Sequence, residues 1–277
     1  MNANDTDASC SRLQSDRLIK IYVGQDSTKP YLVLQSVLED LSDYFASAIK
    51  HACQLGGEDG MLLFPADDEK TWRVFLYWVV KREVHIDVVP DTPQPHTGNS
   101  KMTRDVNDAE DSRADSHEWS CAHQLLLVRC WMFGDRYNVP AYQDVVMLEL
   151  LHSLWTCGPD LATMQEAFHG TPPLSKLRKV IAEEIYDIMK AGCFDDDESD
   201  EYDQIRGLAS ALARVVEDTS ELDSSRVPTQ DKPLESTWKN YMIGEPPQQH
   251  WVYLEGGKSN ENHRSLQLRG DNKGEEL

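Results

Sequence analysis

Gly134-Asp135-Arg136-Tyr137-Asn138-Val139-Pro140 stands between two apolar helical stripes. Before it, Leu126, Cys130, Phe133 and Tyr137 recur at three- and four-residue spacing, with Leu127 and Trp131 beside them. That is the period of one helix face. After it, Val145, Leu148, Leu151 and Trp155 repeat the pattern. Pro140 has no amide hydrogen to donate, and the first turn of a helix is where that loss is tolerated. The heptapeptide therefore reads as the corner of a helical hairpin running over 123–155.

Upstream, Leu18-Ile19-Lys20-Ile21-Tyr22-Val23-Gly24 is β-branched and aromatic and closes on glycine. Tyr31-Leu32-Val33-Leu34 follows a turn cluster, Asp26-Ser27-Thr28-Lys29-Pro30. Together they predict a hairpin of two strands. Ser36 is placed to cap a short helix carrying Val37, Leu38 and Leu41. Ser42 is placed to cap a second with Phe45, Ala48 and Ile49, ended by Gly56-Gly57. Met61-Leu62-Leu63-Phe64-Pro65 predicts a third strand. Asp67, Asp68 and Glu69 then precede, and Lys81 and Arg82 follow, the run Trp72, Phe75, Leu76, Val79 and Val80. The charges complement a helix dipole at both ends, and the apolar spacing gives one wide buried face.

The remainder divides by composition. Residues 1–16 are polar and expected to be disordered. Residues 87–120 combine prolines, Gly98-Asn99-Ser100 and many acids with almost no aliphatic side chains, which predicts a disordered acidic insert. A helical extension is expected over 157–218. Its helices fall at about 160–168 (Leu161, Met164, Phe168), 175–190 (Leu177, Ile181, Ile185, Ile188) and 204–217 (Ile205, Leu208, Leu212, Val215). An acidic linker, 195–203, separates the last two. Residues 219–277 are expected to be a mostly disordered tail, with Trp251-Val252-Tyr253-Leu254 as a short docking patch. The fold class is α+β: a small sheet flanked by helices, with additional C-terminal helices.

The chain has 277 residues, 27 basic against 48 acidic, for a net charge of −21. Nucleic-acid affinity rests on neutralising phosphates, so this balance argues against nucleic acid as a partner, and against anionic membranes for the same reason. The six cysteines form no CxxC pair and the N-terminus has no apolar run. These predict an intracellular protein, nuclear or cytoplasmic, with reduced thiols.

Candidate chemistry is sparse. His117, Cys121, His123 and Cys130 are zinc-ligand types, but their spacing fits no finger, and Cys130 lies on an apolar stripe where it serves as a small core residue. His51-Ala52-Cys53 reads as a helix end. In the acidic run, Asp200 and Arg206 stand where a calcium loop needs Gly and Glu. There is no GxSxG, P-loop or GxGxxG. Trp72, Trp78, Trp131 and Trp155 read as core rather than a cofactor box. We therefore expect no catalytic residue, cofactor or metal, with an enzyme sited in the C-terminal helices as the least favoured alternative.

The order strand, strand, helical pair, strand, long helix, helical hairpin resembles a BTB/POZ domain over residues 17–156. That family's second strand and next helices read roughly F-x-V-H-K-x-x-L-x-x-x-S-x-F-F-x-x-x-L. Tyr31, Val33, Leu38, Ser42, Tyr44, Phe45 and Ile49 occupy those places. The family's hairpin corner often reads ADKYDVP, which the opening heptapeptide closely resembles. The acidic insert is in the style of a set of fungal BTB proteins. The resemblance implies a protein–protein interaction module, an adaptor or scaffold, with a cullin-type ubiquitin ligase scaffold or a transcription complex among its partners. It implies a partner surface near Lys81, Arg82, Val84, Tyr137, Asn138 and Tyr142. Homodimerisation is the alternative it implies. In dimeric members an acid of the first strand and the lysine of the His-Lys pair help build a charged pocket; here Leu18 stands for the acid and Leu34-Gln35 for His-Lys.

Overall fold

In β1 (Leu18–Val23) the side chains of Ile19, Ile21 and Val23 are buried while Leu18 and Lys20 face out. This is the two-residue period of a strand with one covered face. The structure, a computed structural model, describes residues 16–25, 27–54, 60–86, 108–192, 199–221 and 238–244. β1 is the centre of a three-stranded sheet ordered β2-β1-β3. It pairs antiparallel with β2 (Tyr31–Leu34), Ile21 opposite Tyr31, and parallel with β3 (Met61–Phe64), Ile21 opposite Leu62. A parallel neighbour requires a crossover. Here α1 (Gln35–Leu41) and α2 (Asp43–Gln54) supply it, and bring Leu38, Phe45 and Ile49 into the core.

Capping explains where these helices begin. Ser42 accepts the Phe45 N–H at 3.3 Å, as expected of a cap. Ser36 does not cap α1: it lies inside the first turn, and both its N–H (3.2 Å) and its hydroxyl donate to the Asp16 carboxylate. Asp16, expected to be part of a disordered N-terminus, thus caps α1 from twenty residues away.

α3 (Glu69–Lys81) is closed at one end by Asp68, whose carboxylate accepts the Thr71 N–H at 3.0 Å. At the other end Arg82 adopts a left-handed conformation, φ +61°, and donates its N–H to Trp78 O. The buried face is Thr71, Trp72, Val74, Phe75 and Trp78. Leu76 and Val79 are only half-buried, and Val80, expected in that face, is exposed. The large Trp78 ring takes the core position near the end of the helix and turns Val80 outward.

α4 (Asp108–Arg136) and α5 (Pro140–Cys157) form the hairpin. α4 begins at Asp108, so the last thirteen residues of the insert expected to be disordered over 87–120 are helix. Once packing fixes residues 120–136, each further residue costs only helix propagation, which needs no burial. Residues 87–107 lie outside the described residues, as do Gly56-Gly57, 193–198 and Trp251–Leu254. At the corner Asn138 is left-handed, φ +51°, and Val139 N–H closes on Gly134 O at 2.8 Å. Gly134 lies where the helices approach most closely: a Cβ there would come within 2.5 Å of Gln143 Cγ. Along α5, residues 142–148 are buried without a break. Trp155, expected in the core, is exposed, because the buried stripe ends at Leu154.

α6 (Leu161–Gly170) packs on α4, and α7 (Lys176–Lys190) pairs with α9 (Leu208–Glu221), after a single turn α8 (Ser199–Tyr202). A 3-10 turn, Trp238–Tyr241, returns to α5 and α7, burying Trp238, Tyr241 and Met242. Residues 238–244 are thus placed within the tail expected to be mostly disordered; distant helices supply the acceptors Asp144 and Glu183, the donor Lys176 and the apolar surface they need.

Segments 17–86 and 120–157 share one core. Phe45, Phe64, Trp72 and Phe75 interlock with Phe133, Tyr137 and Tyr142, the Trp72–Phe133 ring centroids lying 5.0 Å apart. Asp67 ties the two segments by polar contacts. Its carboxylate, 6% exposed, accepts from Trp72 Nε1 at 2.8 Å, from Arg136 at 2.8 Å and from the Tyr137 hydroxyl.

Candidate interaction surfaces

The six residues expected to form one partner surface are divided. Lys81 and Arg82 are exposed at the C-terminal end of α3, and Val84 is half-buried beside them. The Arg82 guanidinium lies over the Trp78 ring, 4.8 Å from its centroid. Trp78 in turn rests on Tyr142, ring centroids 5.1 Å apart. Tyr142 is fully buried, its phenol pushed well above its ordinary value by burial. Beside it the Cys130 thiol, also fully buried, is pushed up to about 12. Tyr142 thus supports Arg82 through Trp78 and cannot itself touch a partner. Tyr137 is buried too, its hydroxyl committed to Asp67 and its pKa raised by burial. Of the three hairpin residues expected to meet a partner, only Asn138 is exposed. Tyr137 meets Asp67, at the N-terminal end of α3, whereas Lys81 and Arg82 lie at the other. A helix of this length spans ~18 Å, so Asn138 and Arg82 do not share a patch.

A different surface emerges on the sheet. Leu18, Leu32 and Leu63 are 52%, 59% and 61% exposed on the face turned away from the core. The register places Leu18 opposite Leu34, Lys20 between Leu32 and Met61, and Tyr22 opposite Leu63. The result is an apolar face with one lysine at its centre. Alternation along the strands contained this signal: with Ile19, Ile21 and Val23 inward, every outward position except Lys20 is apolar or aromatic.

A recess of about 260 Å³ lies between the middle of α4, the α5–α6 junction and α7–α8, lined in part by Cys121, Gln124, Cys157, Asp160, Glu201 and Tyr202. Ser120 Oγ is 2.7 Å from Cys157 Sγ. The Gln124 amide donates to Gly158 O at 2.7 Å and to Cys157 Sγ at 3.2 Å. Its own carbonyl oxygen is buried without a donor. This is where an enzyme in the C-terminal helices would need its site. The Cys121 thiol is pushed up by burial and then by Asp160 and Cys157, away from the thiolate that nucleophilic chemistry requires. Among the described residues no histidine lines the recess.

The zinc-type residues are separated. Cys121 lines the recess, whereas Cys130 belongs to the core. His123 is partly buried, which together with His152 lowers its pKa. Among the described residues no group of three or more His, Cys, Asp or Glu side chains is placed to hold a metal ion. No described helix is long and apolar enough to cross a membrane. No family model, no curated protein and no solved structure matches the chain.

Proposed function

We propose that this chain is a protein–protein interaction module of BTB/POZ type that acts as an adaptor or scaffold. The observation that carries the reading is the joining of the β2-β1-β3 sheet, with its parallel crossover through two short helices, to the α4–α5 hairpin by one aromatic core. The order of these elements is the one the sequence resemblance implies. The exposed leucines supply the binding energy such a module needs. Covering one leucine fully is worth ~1.5–3 kcal/mol, and an apolar centre with a polar rim is the usual anatomy of an interface core. A cullin-type ubiquitin ligase scaffold is the partner to test first, a transcription complex the second. In a pull-down, a cullin scaffold is expected to retain the wild-type chain and to lose it with Arg82→Glu or Leu63→Asp. Failure to retain the wild type, where a known adaptor is retained, removes the ligase role.

A second reading, self-association, is favoured by the leucine face itself. A net charge of −21 opposes pairing of two copies, and salt screens that repulsion over ~8–10 Å at physiological strength. Light scattering should then show mass rising with ionic strength. A single monomer mass at every salt concentration excludes it.

A further inference from the structure

Asp144 is completely buried on α5, among apolar neighbours. Its carboxylate accepts two backbone N–H groups and has the Lys176 ammonium in electrostatic reach. The N–H of Ile243 donates to one oxygen, and the N–H of Gly244 to the other at 2.8 Å, from ninety-nine and one hundred residues away. A carboxylate placed in the interior is costly unless hydrogen-bonded, so α5 carries an acceptor whose donors come from elsewhere in the chain. Around it the groove makes three further contacts. Lys176 Nζ on α7 donates to Met242 O, the Tyr241 hydroxyl donates to Glu183, and Trp238, Tyr241 and Met242 bury their side chains. Segment 238–244 is thus held as a short peptide ligand is held: aromatic anchors in a groove, main-chain groups paired, little secondary structure of its own. It is joined to α9 through residues 222–237.

We propose that the α5–α7 groove is a recognition site for a partner peptide with the order aromatic-x-x-aromatic-Met followed by two free backbone N–H groups, and that Trp238–Gly244 occupies it in cis as an intramolecular competitor. The occupant fits by chemistry. Backbone N–H groups answer Asp144, a main-chain carbonyl answers Lys176, and a hydroxyl answers Glu183. The proposal goes beyond the adaptor reading and does not depend on its cullin or dimer partners. A negative cullin pull-down leaves it standing, and failure of the peptide experiment leaves the sheet-face interface standing.

The test uses the full-length chain and a fluorescein-labelled peptide with the sequence of residues 235–244. A tethered ligand competes at an effective concentration in the millimolar range, so micromolar peptide should scarcely bind the wild type. In the double variant Trp238→Ala, Tyr241→Ala the cis segment is weakened and the groove is intact. Peptide affinity, read by fluorescence anisotropy, should rise at least tenfold. Adding Asp144→Asn or, as a milder change, Lys176→Ala to that variant should lower it again at least tenfold. Equal binding by wild type and double variant, or affinity indifferent to both groove substitutions, overturns the proposal. A double variant that no longer folds also overturns it, since the segment is then part of the core. A wild-type dimer that the double variant lacks would assign the groove to a second copy and overturn the partner-peptide reading.

Discussion

Replacing Asp67 by alanine should unfold the tie between the sheet half and the hairpin half of the core, and its cost can be worked from the geometry. The carboxylate accepts from Trp72 Nε1, Arg136 and the Tyr137 hydroxyl. Arg136 is 61% exposed and recovers water when freed, so its ion pair contributes at most ~1 kcal/mol. Trp72 is fully buried and Tyr137 nearly so. Each buried donor left without an acceptor costs ~1–3 kcal/mol. The sum is ~2–7 kcal/mol for Asp67→Ala, or a fall in melting temperature of roughly 5–25 °C for a domain of this size. Asp67→Asn keeps one acceptor and should lose about half as much. Urea unfolding followed by tryptophan fluorescence measures this directly. A cycle with Tyr137→Phe isolates the shared term, expected to exceed ~0.5 kcal/mol because the two groups touch. A loss under ~1 kcal/mol in Asp67→Ala, or strict additivity with Tyr137→Phe, would refute the reasoning. The polar link between residues 17–86 and 120–157 would then be incidental, and the argument for a single interaction module would rest on packing alone.

Four further outcomes follow from the same coordinates. Gly134→Ala should destabilise the chain in a thermal melt, since crowding Gln143 Cγ costs ~1–3 kcal/mol against the ~1 kcal/mol gained from helix propensity. With Cys10, Cys53 and Cys193 changed to Ser, a thiol reagent should modify Cys157 first and Cys121 more slowly, and should reach Cys130 only on unfolding, following exposure and the raised pKa of the last two. The hydrogen bonds from Ser36 hold the Asp16 pKa below its ordinary value of 3.8; its stabilising effect is therefore complete above that value and lost as pH falls through the depressed one, so Asp16→Asn should flatten the acid limb of a stability–pH curve near and below pH 4. Leu32→Glu and Leu63→Asp sit on the open sheet face and should change stability by no more than ~0.5 kcal/mol, while abolishing any salt-dependent rise in mass seen by light scattering.

What could be read from the sequence was whatever is local. Pro140 at a helix start, Ser42 three residues before Phe45, and the acids and bases bracketing Trp72–Trp78 each act on neighbours within a turn or two, so their meaning survives without coordinates. Periodicity also separates apolar faces from polar ones, and on that basis the strands and most helices were placed. It fails where a helix is covered on every side. From 142 to 148 α5 has no exposed face, so nothing in the spacing distinguishes Tyr142 as a partner contact from Tyr142 as the floor beneath Trp78 and Arg82. It fails again where one element is completed by another far away. Asp16 caps α1, Asp67 binds Tyr137, and Asp144 binds the amides of Ile243 and Gly244. Each of these aspartates has at least one donor twenty to one hundred residues along the chain. The candidate site followed the same rule. Arg82 and Lys81 were legible as helix-end charges, whereas the leucine face required knowing that no described helix covers the second side of the sheet. Leu18, Leu32 and Leu63 look like core residues until the register shows that Ile19, Ile21, Val23 and Leu62 have taken the inner side. An apolar residue on the open face of a small sheet contributes almost nothing to the fold that displays it, and its burial by another surface is the one gain it can still make.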